Sequence, residues 1–335
     1  MQGAVGGDWS PRPRKRGRSV LQSAVPSGTD LRSRVACRAP FRLGVGVVAV
    51  GPRCFVSVRC VCFSVLVLLR RVVLLIGALK GTSAVVTGAS SGIGRAIAVR
   101  LASEGASRVV IHYRSNESGA SQTADLVRQA GADPVLIAAD LGDTSDCSRL
   151  VDDCFGQLGA IQTWVNNAGA DVLTGAAGQW TFEEKLRRLI DVDFVGTVCM
   201  SRLAGPRMAS QQLPSPPAMI FLGWDQSTEG MEGDAGQMFG PVKAAVTAYA
   251  KSLAQTLAPQ VRVNCVAPGW IQTSWGETTS DYWNDRATGQ ALMHRWGRPE
   301  DIAAAVAYLA DPSNSFVTGQ VIQVNGGWNR RFPTD

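Results

Sequence analysis

The sequence predicts an α/β fold: a single doubly wound parallel sheet of about seven strands flanked by helices. Three observations predict it. Thr87-Gly88-Ala89-Ser90-Ser91-Gly92-Ile93-Gly94 joins an apolar run to a helical periodicity through three glycines. From Leu79 onward, short apolar runs alternate with helix-spaced ones, which is the rhythm of strand and crossover helix. A chain of 335 residues, 45% hydrophobic and 18% charged, is long and apolar enough to bury a large core.

The elements follow in order. Ser83 to Thr87 reads as a buried strand, after which Ile93, Ile97 and Leu101 recur at helical spacing. Glycine between them allows a sharp turn, close approach of a pyrophosphate and tight packing of helix on strand. A helix start presents unbonded N–H groups and the positive end of its dipole, so Gly88, Ser90, Ser91, Gly92, Ile93 and Gly94 read as a seat for a dinucleotide phosphate. A tight turn without a ligand is the plainer alternative. Arg108 to His112, Val135 to Ala138 and Gln162 to Asn166 are the next three strands. Thr181 with Glu184 forms a capping box, opening a helix through Phe182, Leu186, Leu189 and Ile190. Ala218 to Gly223 is the fifth strand, after a Pro-rich loop at 214–217. A long helix is expected from Val242 to Leu257, and strands at Val261 to Cys265 and Val321 to Val324 complete the sheet.

Charge is divided unevenly. Residues 1–80 hold 14 Lys and Arg against Asp8 and Asp30, leaving 19 Lys and Arg against 25 acids in the rest. The globular part is therefore mildly acidic, and no nucleic-acid partner is expected. Residues 1–78 read as an N-terminal extension, disordered or upstream of the working start, in preference to an Arg-rich targeting peptide; 79–335 read as the folded domain. The apolar run Cys60 to Leu69 falls short of the roughly 20 residues of a membrane span. Eight cysteines without a C-x-x-C pair point to a reducing, cytoplasmic setting without structural disulfides. His112 and His294 lie far apart, so no metal site is expected.

The chain at this point resembles the short-chain dehydrogenase/reductase family, and within it the beta-ketoacyl carrier-protein reductases. The resemblance runs from about Leu79 to Trp328. It rests on Thr87 to Gly94, Asp140, Asn166-Asn167-Ala168-Gly169, Lys243, Val263-Asn264, Pro268-Gly269, Gly297-Arg298-Pro299-Glu300-Asp301, Thr318-Gly319-Gln320 and Asn325-Gly326-Gly327. It implies a Rossmann domain with a nicotinamide cofactor across the sheet edge. Asp140 and Leu141 would meet the adenine, and Asn166 to Gly169, with Asn167, Ala168 and Gly169 foremost, would wall the cofactor. Lys243 would hold the ribose, while Pro268, Gly269, Ile271 and Thr273 would lie near the carboxamide. The resemblance also implies a homodimer or homotetramer acting on a small carbonyl compound or acyl thioester. Charge favours NADP over NAD: the stretch His112-Tyr113-Arg114-Ser115-Asn116 at the end of the second strand holds no acid, and Arg114 and Ser115, with help from Arg95, suit a 2'-phosphate. A solvated loop charge is the plainer reading of Arg114.

Three positions depart from the family. Its acid is a Tyr four residues before the Lys, where this chain has Phe239. Its Ser falls at Trp224, Asp225 or Gln226, with Ser227 the nearest hydroxyl. Asp193 replaces an Asn of the proton relay, so an Asp193–Lys243 ion pair serving the ribose is expected. Two readings follow. One is a reductase with a substitute acid, drawn from Asp225, Ser227, Tyr282 or water; the other is a nucleotide-binding relative without turnover, acting as a sensor or partner subunit. Trp270, Trp275, Tyr282 and Trp283 fall in the lid region, where they signal either a flat apolar substrate or aromatic packing of the lid onto the core. His294, near that lid, reads as a surface residue beside a helix start in preference to a catalytic one.

Overall fold

The computed structural model describes residues 77–273 and 279–330. The extension expected at 1–78, apart from its last two residues, and Trp275 lie outside the described residues.

Seven strands form one sheet: β1 (Ser83–Val86), β2 (Arg108–Tyr113), β3 (Asp133–Ala138), β4 (Thr163–Asn166), β5 (Ala218–Leu222), β6 (Arg262–Pro268) and β7 (Val321–Val324). All pairings are parallel, in the order β3-β2-β1-β4-β5-β6-β7. The order reverses between β1 and β4, which opens a crevice at the carboxyl ends of the strands.

Period-two alternation sends neighbouring residues to opposite faces. Val85, Val110, Trp164, Phe221 and Val263 enter one core, while Val86, Ile111, Val165 and Ile220 enter the other. The helices that cover the second core are α1 (Gly92–Ser103), α2 (Glu117–Gln129) and α8 (Pro299–Ala310), contributing Ile97, Val127 and Ile302 among others. On the first face lie α3 (Thr144–Leu158), α5 (Thr197–Ala209) and α6 (Gly233–Leu257), contributing Leu150, Met200 and Leu253. Two further helices are α4 (Phe182–Leu189) and α7 (Asp281–Gln290). Thr181 makes the expected capping box: its hydroxyl accepts from the Glu184 amide, and the Glu184 carboxylate accepts from the Thr181 amide.

Two boundaries differ most from expectation. The long helix begins at Gly233, nine residues before Val242. Gly233, Gly236, Gly240 and Pro241 all argue against helix locally, yet Met238 and Val242 bury against Val172 and Leu189, and that packing prevails. The sixth strand runs on to Pro268, because its added residues pair with β7 and place Gly269 at the crevice.

Candidate active site

The glycine-rich turn is held from three sides. Thr87 Oγ1 accepts from the amides of Asn167 (2.9 Å) and Ala168 (3.0 Å), while Asn167 Nδ2 donates to the carbonyls of Thr87 (2.8 Å) and Gly88 (3.0 Å). The Gly88 amide donates to His112 Nδ1 at 3.1 Å, and the opposite ring nitrogen donates to the Ala139 carbonyl at 3.1 Å. This pattern requires a neutral imidazole protonated on Nε2, and burial pushes the His112 pKa down to about 4. Gly88 has φ +63°, and a Cβ there would stand 2.7 Å from Ala168 Cα. At the start of α1 the Ser91 side chain makes no capping bond, so the first-turn amides are left for an anion.

These elements open onto a cleft of about 760 Å³. Its lining takes in Gly88, Ser90, Ser91, Gly92, Ile93 and Gly94 from the turn, Arg114 and Ser115 after β2, and Asp140 and Leu141 after β3. Asn167, Ala168, Gly169, Asp193, Phe239, Lys243 and Thr273 complete its far side. A smaller cavity of about 360 Å³ shares Asn167, Phe239, Lys243 and Thr273 with the cleft and adds Pro268, Gly269 and Ile271. The cradle fits a dinucleotide, since the amides at the start of α1 and the Arg114 guanidinium are suited to two separate phosphates.

Asp193 lies on a single π-helical stretch, Ile190–Gly196, between α4 and α5. It is 2% exposed. One carboxylate oxygen accepts from the Ala170 amide at 2.7 Å and the other pairs with Lys243 Nζ at 2.9 Å, as expected. A Cβ at Gly169 would lie 2.8 Å from Asp193 Oδ2, so that residue must be small. Phe239 lines both cavities one helical turn before Lys243, and the Trp224 ring meets it edge-on at 6.5 Å.

Several residues expected at the site lie away from both cavities. Asp225 and Ser227 do not line either cavity. The Asp225 amide bonds the Pro268 carbonyl, which turns its buried side chain toward Asn325 Nδ2 at 3.1 Å and leaves Oδ1 without a partner. Burial raises its pKa to about 6. Ser227 donates to the Trp224 carbonyl at 2.7 Å. Tyr282 is exposed on α7, its hydroxyl bonded by Arg286. Asn166 is buried behind the cleft, bonded to Ser201 and Trp164. His294 is exposed, in keeping with a surface role.

Two participants had no signal as isolated residues. His112 was visible only as a polar residue ending a Val/Ile-rich strand. Arg188 of α4 grips both Asp140 oxygens at 2.9 and 3.0 Å, so this carboxylate is already paired. Burial pushes the Asp140 carboxyl up, but the Gly142 amide and Arg188 more than reverse it, leaving it below the usual range.

Aromatic residues close the smaller cavity. Trp270 packs against Trp283 at 5.6 Å and Trp296 at 6.1 Å, and its Nε1 donates to Gln290 at 2.8 Å. Arg286 lies over Trp270 and Trp283 and grips Glu232 with two nitrogens. Among the described residues there is no group of three His, Cys, Asp or Glu able to hold a metal, and no helix long and apolar enough to cross a membrane.

Residues 88–329 match the family model described as enoyl-(acyl carrier protein) reductase. An uncharacterized oxidoreductase of Methylorubrum extorquens is 35% identical over 253 residues, covering 74% of this chain and 98% of that one. A 3-oxoacyl-[acyl-carrier-protein] reductase of Staphylococcus aureus is 34% identical over 247 residues, covering 73% and 97%. Among solved structures, a short chain dehydrogenase of Burkholderia cenocepacia in complex with NADP superposes with a TM-score of 0.66 at 27% identity, covering 74% of this chain and 98% of that one.

Proposed function

This chain belongs to the short-chain dehydrogenase/reductase family, and from that premise we propose that it is an NADP(H)-dependent oxidoreductase that reduces a carbonyl compound through a non-standard active site. The observation that carries this reading is the meeting of a phosphate cradle, Arg114, and the Asp193–Lys243 pair in one cleft.

When bound, the dihydronicotinamide supplies a hydride. The chain's own residues bind and orient. The first-turn amides of α1 take the pyrophosphate, and Arg114 with Ser115 takes the 2'-phosphate. Lys243, steadied by Asp193, holds the ribose hydroxyls and keeps a positive charge facing the smaller cavity, where it favours negative charge developing on a carbonyl oxygen. Phe239 has no proton to give, so the acid contribution of about 10²- to 10⁴-fold that a phenol supplies is missing at that position. The homodimeric or homotetrameric assembly remains part of this proposal. Half-exposed Val195 and Leu203 beside the Asp193 turn are suited to a subunit contact.

A second reading, a nucleotide-binding subunit without turnover, is favoured by Phe239 at the position of the family's Tyr, with the Trp224 ring packed edge-on against it. Calorimetric titration of NADPH and NADH, followed by turnover assays on ketones, 3-oxoacyl thioesters and conjugated carbonyls, separates the two. NADPH binding with turnover supports the oxidoreductase. Binding with activity appearing only in Phe239→Tyr supports the second reading, and failure to bind either nucleotide overturns both.

A further inference from the structure

Resting on the oxidoreductase reading, we propose that the smaller cavity takes a planar fused-ring quinone, a substrate whose reduction needs no protein acid. Two independent observations lead there: what forms the walls and what is missing from them.

The walls are aromatic. Trp224, Phe239, Trp270 and Trp296 all line the cavity. The indole N–H of Trp270 is bonded to Gln290, and that of Trp296 to Asn284 at 3.1 Å. With their polar handles turned to the protein, these two rings offer apolar surface to a ligand, and flat conjugated molecules stack or meet edges on such walls. The cavity, about 360 Å³ in volume, is shared: Pro268, Gly269, Ile271 and Thr273 would meet the nicotinamide carboxamide, and the quinone would lie beside it against Trp224, Phe239, Trp270 and Trp296.

The missing group is a phenol. The chain has four tyrosines, Tyr113, Tyr249, Tyr282 and Tyr308, all within the described residues, and none lines this cavity. Among the described lining residues, the proton-bearing groups of acidic character are the Lys243 ammonium, held by Asp193, and the Thr273 hydroxyl. Hydride addition to a saturated ketone creates an alkoxide, about as basic as hydroxide, whose conjugate acid water has a pKa of ~15.7. Such an anion must be protonated as it forms. A quinone avoids this demand, because its product anion is a phenolate, whose parent phenol titrates near ~10. Lys243 then suffices as a fixed positive charge.

The step balances. The C–H bond at the dihydronicotinamide breaks and an O–H bond forms at one quinone oxygen, carrying two electrons. The other oxygen becomes the anion and takes one proton from water. Quinone, NADPH and one proton yield hydroquinone and NADP⁺.

The test uses the full chain with 2,3-dimethyl-1,4-naphthoquinone, which is substituted at both thiol-reactive ring positions, and 1-decalone as the saturated counterpart. Binding is read without cofactor as quenching of tryptophan fluorescence, and turnover as loss of NADPH absorbance. The expected result is saturable quenching by the quinone, with kcat/KM at least about 100-fold above that for 1-decalone, matching the missing acid. Phe239→Tyr should raise 1-decalone turnover by about 10²- to 10⁴-fold and quinone turnover less than tenfold. Absence of quenching, or wild-type reduction of 1-decalone as fast as the quinone, overturns the proposal. Failure of NADPH to bind in calorimetry overturns the broader functional reading instead, and the quenching result distinguishes the two failures.

Discussion

Asp193 divides its carboxylate between two partners, the Ala170 amide at 2.7 Å and Lys243 Nζ at 2.9 Å, and so ties the wall of the cleft to the cation at its centre. The pair is nearly closed to water, with Asp193 2% and the Lys243 side chain 16% exposed. A buried ion pair resists loss of one member far more than its net contribution would indicate.

Asp193→Asn keeps an acceptor for Ala170 but removes the charge that steadies Lys243. NADPH affinity is expected to fall about tenfold, equivalent to about 1.4 kcal/mol, as read by calorimetry. Asp193→Leu, which strands the ammonium, is expected to cost about 3–5 kcal/mol of stability. An unchanged NADPH Kd in Asp193→Asn would show that the ribose clamp does not depend on the carboxylate charge.

Arg114→Ala tests the choice of cofactor. A charge-assisted bond to a phosphate contributes about 1.5–3 kcal/mol, so the NADPH Kd should rise roughly ten- to a hundredfold. NADH, lacking the 2'-phosphate, should bind the variant and the parent alike. Equal losses for both nucleotides would place Arg114 outside the 2'-phosphate site.

His112 and Asp225 give opposed pH dependences. Between about pH 4 and 6.5 the unfolded chain takes up a proton at His112 that the folded chain refuses, so this residue makes stability rise with pH by about 3 kcal/mol. Between about pH 4 and 6 the folded chain keeps a proton on Asp225 that the unfolded chain releases, so this one makes stability fall as pH rises. The two nearly offset each other. Asp225→Asn should therefore be about 1–3 kcal/mol more stable than the parent at pH 7, the gap closing by about pH 4. Urea unfolding at several pH values measures it, and a gap that stays constant would rule out the carboxylate as its source.

Gly88→Ala places a side chain at φ +63° and drives its Cβ into Ala168. The left-handed backbone alone costs about 1–2 kcal/mol, and the displaced turn should lose NADPH binding. A variant that melts and binds like the parent would show that the turn has room to shift.

Much of the fold was legible because its signals are local. The Thr181/Glu184 box sits where the sequence predicts it, and all seven strands occur where short apolar runs indicate them. The start of α6 was not legible, since its glycines and Pro241 contradict a helix that only Met238 and Val242 packing on Val172 and Leu189 can sustain. The residues expected on the cofactor side were readable from residue types in order, and they line one cleft. Where Asp225 points was not legible, because the direction of its side chain depends on Pro268 and Asn325, far away in the chain.

The sequence by itself determined the doubly wound sheet, the glycine-rich turn, Arg114 after β2 and the absence of a phenol at Phe239, all of which are properties of residue type and short spacing. Only the tertiary structure decided that Asp193 grips Lys243, that Arg188 holds Asp140, that His112 is neutral, and that Trp224, Trp270 and Trp296 share a cavity. The physical reason is that hydrogen bonds, ion pairs and cavity walls act over a few ångströms between residues that stand tens of positions apart, and packing of the sheet and helices is what brings them within reach.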